Sequence, residues 1–115
     1  MVFILIGGKK VKKKERIKSQ IEFDNLIKNT DSKKNSFFII HTNPKKEENG
    51  RFGIAVGTKI GNAVIRNKLK RRVREIINEE RFLFEKELDY IIIVRKSCLD
   101  LNFEQMKKSL LELIK

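Results

Sequence analysis

Arg66, Lys68, Lys70, Arg71, Arg72 and Arg74 fill six of the nine positions from Arg66 to Arg74. The chemistry open to such a cluster is recognition of anions. An arginine fork can take two phosphate oxygens at once, and lysine adds a compact charge. Asn67, inside the cluster, can both donate and accept. Metal-dependent hydrolysis would ask for something different, several carboxylates converging on one or two ions. The acids are scattered along the chain, with Glu47–Glu48 and Glu79–Glu80 as adjacent pairs, and the chain has one histidine, His41. A stand-alone nuclease is therefore a poor fit. No residue is assigned a catalytic role, and metal ligands remain unassigned.

An apolar period runs through the same stretch. Ile65, Leu69, Val73, Ile76 and Ile77 recur at helical spacing, which predicts a helix docked on a core by one stripe. Gly61-Asn62 opens it, and it is expected to continue to about Glu80. Arg66, Lys70 and Arg74 then form a row beside the stripe, with Lys68, Arg71 and Arg72 around the other side. Like charges on successive turns cost roughly a few tenths of a kcal/mol per pair. No acid lies between Glu48 and Glu75 to offset this. A solvated face laced with salt bridges is thus disfavoured, and a polyanion partner, nucleic acid first, is favoured.

The chain has 115 residues and a formal net charge of +12. Its charge is not spread evenly. Residues 1–14 carry five Lys and no acid, and residues 49–74 carry eight Lys or Arg and no acid, leaving 14 bases against 15 acids elsewhere. Charge in two blocks reads as a binding surface. One domain over residues 1–115 is expected, with 1–14 as an atypical extension. The single cysteine, Cys98, allows no internal disulfide and fits a reducing cytosol, so a cytoplasmic location is expected. No apolar stretch is long enough to span a bilayer, and no membrane partner is expected. Two readings of Met1-Val-Phe-Ile-Leu-Ile6 stay open, an added edge strand or an artefact of the chosen start codon.

The surrounding elements must hold the basic helix in place. Ser19 and Glu22 form a capping-box start, with Phe23, Leu26 and Ile27 on one face of a helix running to about Lys28. Residues 29–35 read as a polar turn, Phe37–Thr42 as a strand, and residues 43–50 as a charged hairpin loop. From Arg51 to Thr58 a second strand alternates. Phe52, Ile54 and Val56 share one face, and Gly53, Ala55 and Gly57 the other, where a helix or a bound chain could approach the backbone. Phe82 and Phe84 are expected in the core. Tyr90–Val94 is a continuous apolar run suited to a strand buried on both faces. Asn102 and Gln105 cap a last helix whose Phe103, Met106, Leu110 and Ile114 face inward. The class is α+β, a single two-layer domain with a small mixed sheet and three helices. A strand precedes the basic helix where a helix-turn-helix would need a short helix, which favours RNA over DNA.

At Lys59-Ile-Gly-Asn-Ala-Val64, followed by Arg66-Asn67-Lys68 and Lys70-Arg71-Arg72-Val-Arg74, the sequence strongly resembles the protein subunits of bacterial ribonuclease P. The likeness extends through Asp89–Lys96, the closing helix with Lys107-Lys108-Ser109-Leu110, and the Arg16–Ile27 segment, roughly residues 9–115. The resemblance implies a subunit that assists a catalytic RNA in removing the 5′ leader of precursor tRNA. The RNA performs the hydrolysis with Mg2+. The implied partners are that RNA and the precursor tRNA, with no protein partner. Carried over by position, Lys59, Asn62, Arg66, Asn67, Lys68, Lys70, Arg71, Arg72 and Arg74 would meet the catalytic RNA. Phe23, Phe38 and His41 would lie in or near a cleft for the single-stranded leader, offering surface for bases to stack on. The family fold also implies a left-handed strand–helix–strand crossover, against the usual rule. This chain departs from the family pattern at Lys68, where arginine is usual, and at Ile27 and His41, where aromatics are usual. A ribosomal or other structural RNA-binding protein is the alternative reading.

Overall fold

The computed structural model describes residues 2–5, 32–44 and 51–114. The predicted helix from Ser19 to about Lys28, with Phe23 and Ile27, lies outside them. The elements are β1 (Val2–Leu5), β2 (Ser32–Lys34), β3 (Phe38–Pro44), β4 (Phe52–Val56), α1 (Ala63–Glu79), β5 (Leu88–Val94) and α2 (Phe103–Ile114). The strands form one mixed sheet in the order β1-β4-β5-β3-β2. β4 and β5 run parallel, with Phe52 opposite Tyr90 and Val56 opposite Val94. The other three pairings are antiparallel.

The apolar run Tyr90–Val94 occupies the inner strand, as its composition predicts. Both β3 and β4 pair with β5 and not with each other. The expected hairpin between them is therefore corrected. A strand apolar on both faces is worth most with a neighbour on each side, so β5 is inserted between two strands that are consecutive in sequence. Val2–Leu5 pairs with the outer edge of β4, from Val2 opposite Val56 to Leu5 opposite Gly53. Of the two readings left open for this segment, the added edge strand is the one observed.

β2 is a strand where a polar turn is expected. All three of its residues are exposed and two are lysines. It buries nothing, so it leaves no apolar period to read, and its charges guard an open sheet edge. Asn35 closes the turn into β3. Its Oδ1 accepts from the backbone N–H of Phe37 and of Phe38, both at 2.8 Å. Its Nδ2 donates to the Ser109 carbonyl of α2 at 3.0 Å, tying the hairpin to the last helix.

One face of the sheet carries the core. Phe38 and Ile40, Phe52, Ile54 and Val56, and Tyr90, Ile92 and Val94 pack against Leu69, Val73, Ile76 and Ile77 of α1 and Met106 and Leu110 of α2. Phe52, Phe84 and Tyr90 close one end of it, with Phe84 edge-on to both other rings at centroid distances of 5.5 and 5.1 Å. Phe82 is a correction: it is 79% exposed. The short turn Arg81–Leu83 after α1 directs only Phe84 inward. The α2 capping box forms as predicted. Asn102 N donates to Gln105 Oε1 and Gln105 N to Asn102 Oδ1, both at 2.9 Å.

Cys98 is fully buried, and its thiol donates to the Phe37 carbonyl at 3.2 Å. Burial pushes its pKa from 9.0 up to about 11. The fold thus favours the neutral thiol, and the stability this lends is lost as the pH climbs from 9.0 towards 11. At pH 8 a thiol-specific reagent should find roughly 100-fold less thiolate in the native chain than in the unfolded one, one factor of ten per pH unit. Equal labelling rates with and without denaturant would show that Cys98 is not held in this way.

Candidate nucleic-acid interface

The basic helix starts where the sequence places it. Asn62 is the N-cap, and its Oδ1 accepts from Ile65 N at 3.0 Å. The helix is helical through Glu79, with Glu80 as its C-cap. Leu69, Val73, Ile76 and Ile77 bury the stripe. Ile65 does not join it and is 37% exposed. The first turn lies beyond the apolar contacts that bury the rest of the stripe.

The expected RNA-contacting residues divide into three tiers. Lys59, Asn62, Asn67, Lys68 and Arg71 are exposed. Arg66, Arg72 and Arg74 are half-buried on the flanks. Lys70 is buried at 7% exposure. Lys70 falls at the edge of the stripe, one turn before Arg74, where its four-carbon stem can lie on apolar surface. Its burial, and then the charge of Arg66, lower its pKa. Arg66 Nη1 donates to the Gly61 carbonyl at 3.2 Å, while its Nε has no hydrogen-bond partner. Arg72 turns to the other flank and donates to the Leu101 carbonyl at 3.1 Å. It clamps α1 to the approach of α2, a structural duty that its place in the motif does not disclose.

The charge placement runs against the helix dipole. The first turn of α1 contains no acid and its last turn no base. Anions are stabilising at the N-terminus of a helix and cations at its C-terminus, each by about 0.3–1 kcal/mol. At the far end Lys107 of α2 relieves the conflict, reaching Glu79 at 3.1 Å and Glu80 at 3.3 Å. Those two hydrogen bonds raise the Lys107 pKa. Nothing comparable among the described residues serves the other end. Among the described residues no carboxylate forms an ion pair with any cation from Lys59 to Arg74. A helix charged against its own dipole and left without counter-ions is matched to an external polyanion.

The second group of expected site residues separates. Phe23 lies outside the described residues. Phe38 and His41 have opposite parity along β3 and point to opposite faces of the sheet. Phe38 is fully buried in the core beside the helices, so no base can stack on it while the core is closed; it is withdrawn from the leader surface. His41 lies on the other face with Ile39, and with Gly53, Ala55 and Ile91 of the neighbouring strands. It is 9% exposed, and burial lowers its pKa, keeping the imidazole neutral at neutral pH.

One unexpected pair supports the site from below. Asp89, at the start of β5, is fully buried. Its Oδ1 accepts from Arg51 N at 2.8 Å and its Oδ2 from the Arg51 guanidinium at 3.2 Å. The Arg51 carbonyl in turn accepts from Tyr90 N at 2.8 Å. These bonds set the first residue of the parallel pair that leads into α1. In sequence the two residues are 38 apart and read only as polar flanks of two strands. Among the described residues no three His, Cys, Asp or Glu side chains converge as a metal site would require. No described helix is long and apolar enough to cross a membrane.

The family profile described as Ribonuclease P matches residues 11–115. The Ribonuclease P protein component of Bacillus cereus is 40% identical over 106 residues, which cover 91% of this chain and 92% of that protein. A Bacillus anthracis protein of the same description is also 40% identical, over 91% of this chain and 89% of its own. Among solved structures, the RNase P protein from Thermotoga maritima superposes with a TM-score of 0.80 at 32% identity, covering 88% of this chain and 96% of that one. The Staphylococcus aureus RNase P protein superposes with a TM-score of 0.78 at 34% identity, covering 85% of this chain and 90% of that one.

Proposed function

The chain belongs to the ribonuclease P protein family, the protein component of the ribonucleoprotein endonuclease that works with an RNA subunit to mature the 5′ end of tRNA, and we propose that α1 is the surface on which it holds that RNA. The observation that carries this reading is the unpaired cationic face. Lys59, Lys68 and Arg71 are exposed and, among the described residues, have no carboxylate partner. Arg66, Arg74 and Lys70 line its inner flank, and Asn62 and Asn67 add polar contacts. Arg72 supports the helix through Leu101 while contributing charge.

The face of the sheet that carries His41 is the proposed seat of the single-stranded leader of precursor tRNA. Phe23 belongs to the same proposal. Support comes from parity: His41 lies on the face opposite the helix-covered core, with the half-buried Ile39 two residues before it, whereas Gly53, Ala55 and Ile91 on that face are buried, which puts the proposed seat at the β3 side of the face. Mg2+ serves the holoenzyme through its RNA. A cytoplasmic setting follows from the tRNA substrate and the single thiol.

Cleavage of precursor tRNA at low magnesium tests the reading with three samples: protein alone, RNA alone and the two together. Activity is expected from the mixture, well above RNA alone, and none from the protein. Cleavage by the protein alone would place the chemistry on this chain. No gain from adding protein would favour a structural RNA-binding role.

A further inference from the structure

The face of α1 turned away from the sheet is not uniformly charged. Val64, Asn67, Lys68 and Arg71 stand three, four and seven residues apart, on one helical stripe. Val64 is 76% exposed, and Ile65 beside it is 37% exposed. Gly61 sits close under Ile65: a Cβ there would lie 3.0–3.1 Å from the isoleucine side chain. The motif therefore brings backbone, two β-branched side chains and the exposed cation Lys68 together on the first turns of α1.

A scattered exposed valine is ordinary on a protein surface. This one is set among cations that have no acidic partner among the described residues. It also opposes the local preference, because a β-branched residue on a solvent-facing helical position loses side-chain freedom and gains no packing. Phosphate can satisfy Lys68 and Arg71, but it has nothing to offer Val64 or Ile65. The ribose edge and flat face of an unpaired nucleotide do. RNA exposes such faces in loops, bulges and single strands, and not along a paired backbone.

We propose that Val64, with Ile65 beside it, is an apolar seat for an unstacked nucleoside of the RNA held by α1. The inference rests on the reading of α1 as the RNA surface and adds a second kind of recognition to it. The cations hold phosphates at any sequence, whereas the seat selects a position where a nucleotide is free to turn out of the stack. It gives the helix a preference for an irregular RNA segment over a regular duplex.

The test measures affinity of the full chain for the ribonuclease P RNA subunit over a series of salt concentrations. Val64→Ala removes apolar surface while favouring the helix, so any loss is not a loss of helix. It is expected to weaken binding about three- to tenfold, with an unchanged slope of log K against log salt. Val64→Met, which keeps an apolar contact, should stay within about twofold of the parent. Arg71→Ala, run alongside, should flatten the slope by about 0.7–0.9. If Val64→Ala binds as the parent while Arg71→Ala flattens the slope, the seat does not exist and the RNA surface stands. If Val64→Ala itself flattens the slope, the valine acts only by arranging the cations, and the proposal falls. If neither variant changes binding, α1 is not the RNA surface and both readings fall.

Discussion

Replacing Lys68 and Arg71 together with Ala is expected to weaken binding of the catalytic RNA on the order of 30-fold at 0.1 M salt and to flatten the log K against log salt slope by about 1.5. Both residues are exposed, and neither forms an ion pair or side-chain hydrogen bond within the described protein. Nothing in the fold is lost with them, and removing like charges from neighbouring turns relieves repulsion. The double variant should therefore be no less stable than the parent while binding more weakly. Arg72→Ala should behave differently. It frees a carbonyl at Leu101 and loosens the α1–α2 junction, so stability should fall by about 1–2 kcal/mol alongside binding. Filter binding across a salt series, paired with urea unfolding, separates the two patterns. An unchanged slope in the Lys68/Arg71 variant would show that those charges face only solvent.

Asp89→Ala is expected to cost about 3–5 kcal/mol of unfolding free energy, because it removes a buried carboxylate that accepts from both the guanidinium and the backbone N–H of Arg51. In a domain of this size that corresponds to a drop of roughly 10 °C or more in Tm. The residue does two jobs, holding the Arg51 side chain and the Arg51 backbone N–H. Asp89→Asn keeps one acceptor for the backbone and should lose less than Asp89→Ala. Thermal and urea unfolding measure both. A cost for Asp89→Ala below about 1 kcal/mol would mean that the start of the parallel β4–β5 pair is held by something else. Because β4 leads straight into α1, the same variant should also weaken RNA binding at temperatures where it is still folded, without altering the salt slope.

Elements that bury a patterned surface are legible in the order of their residues. The stripe Leu69, Val73, Ile76 and Ile77, the double-sided run Tyr90–Val94, and the reciprocal caps at Asn102 and Gln105 all form as their spacing implies. Elements whose residues bury nothing are not legible in this way. β2 has only exposed Ser32, Lys33 and Lys34, and its place is set by β3 beside it and by Asn35 reaching Ser109 of α2. Phe82 and Phe84 look equivalent in sequence, yet the turn after α1 sends one to solvent and one to the core.

The candidate site divides along the same line. That a cationic helix exists, lacks local counter-ions and docks by one stripe is written in the residues from Lys59 to Glu80, because charge count and helical period are local properties. The family motif in Lys59–Arg74 is local in the same sense. What each cation is free to do depends on the folded domain. Lys70 is buried, Arg72 is spent on Leu101, and Lys68 and Arg71 stay available. Folding also separates Phe38 from His41, since which face of β3 meets the helices depends on packing partners far away in the chain. The Arg51–Asp89 pair belongs to the same class. Two polar residues 38 positions apart become one buried contact only when β4 and β5 lie side by side. Periodicity reports which residues want burial; pairing between distant strands decides which of them meet.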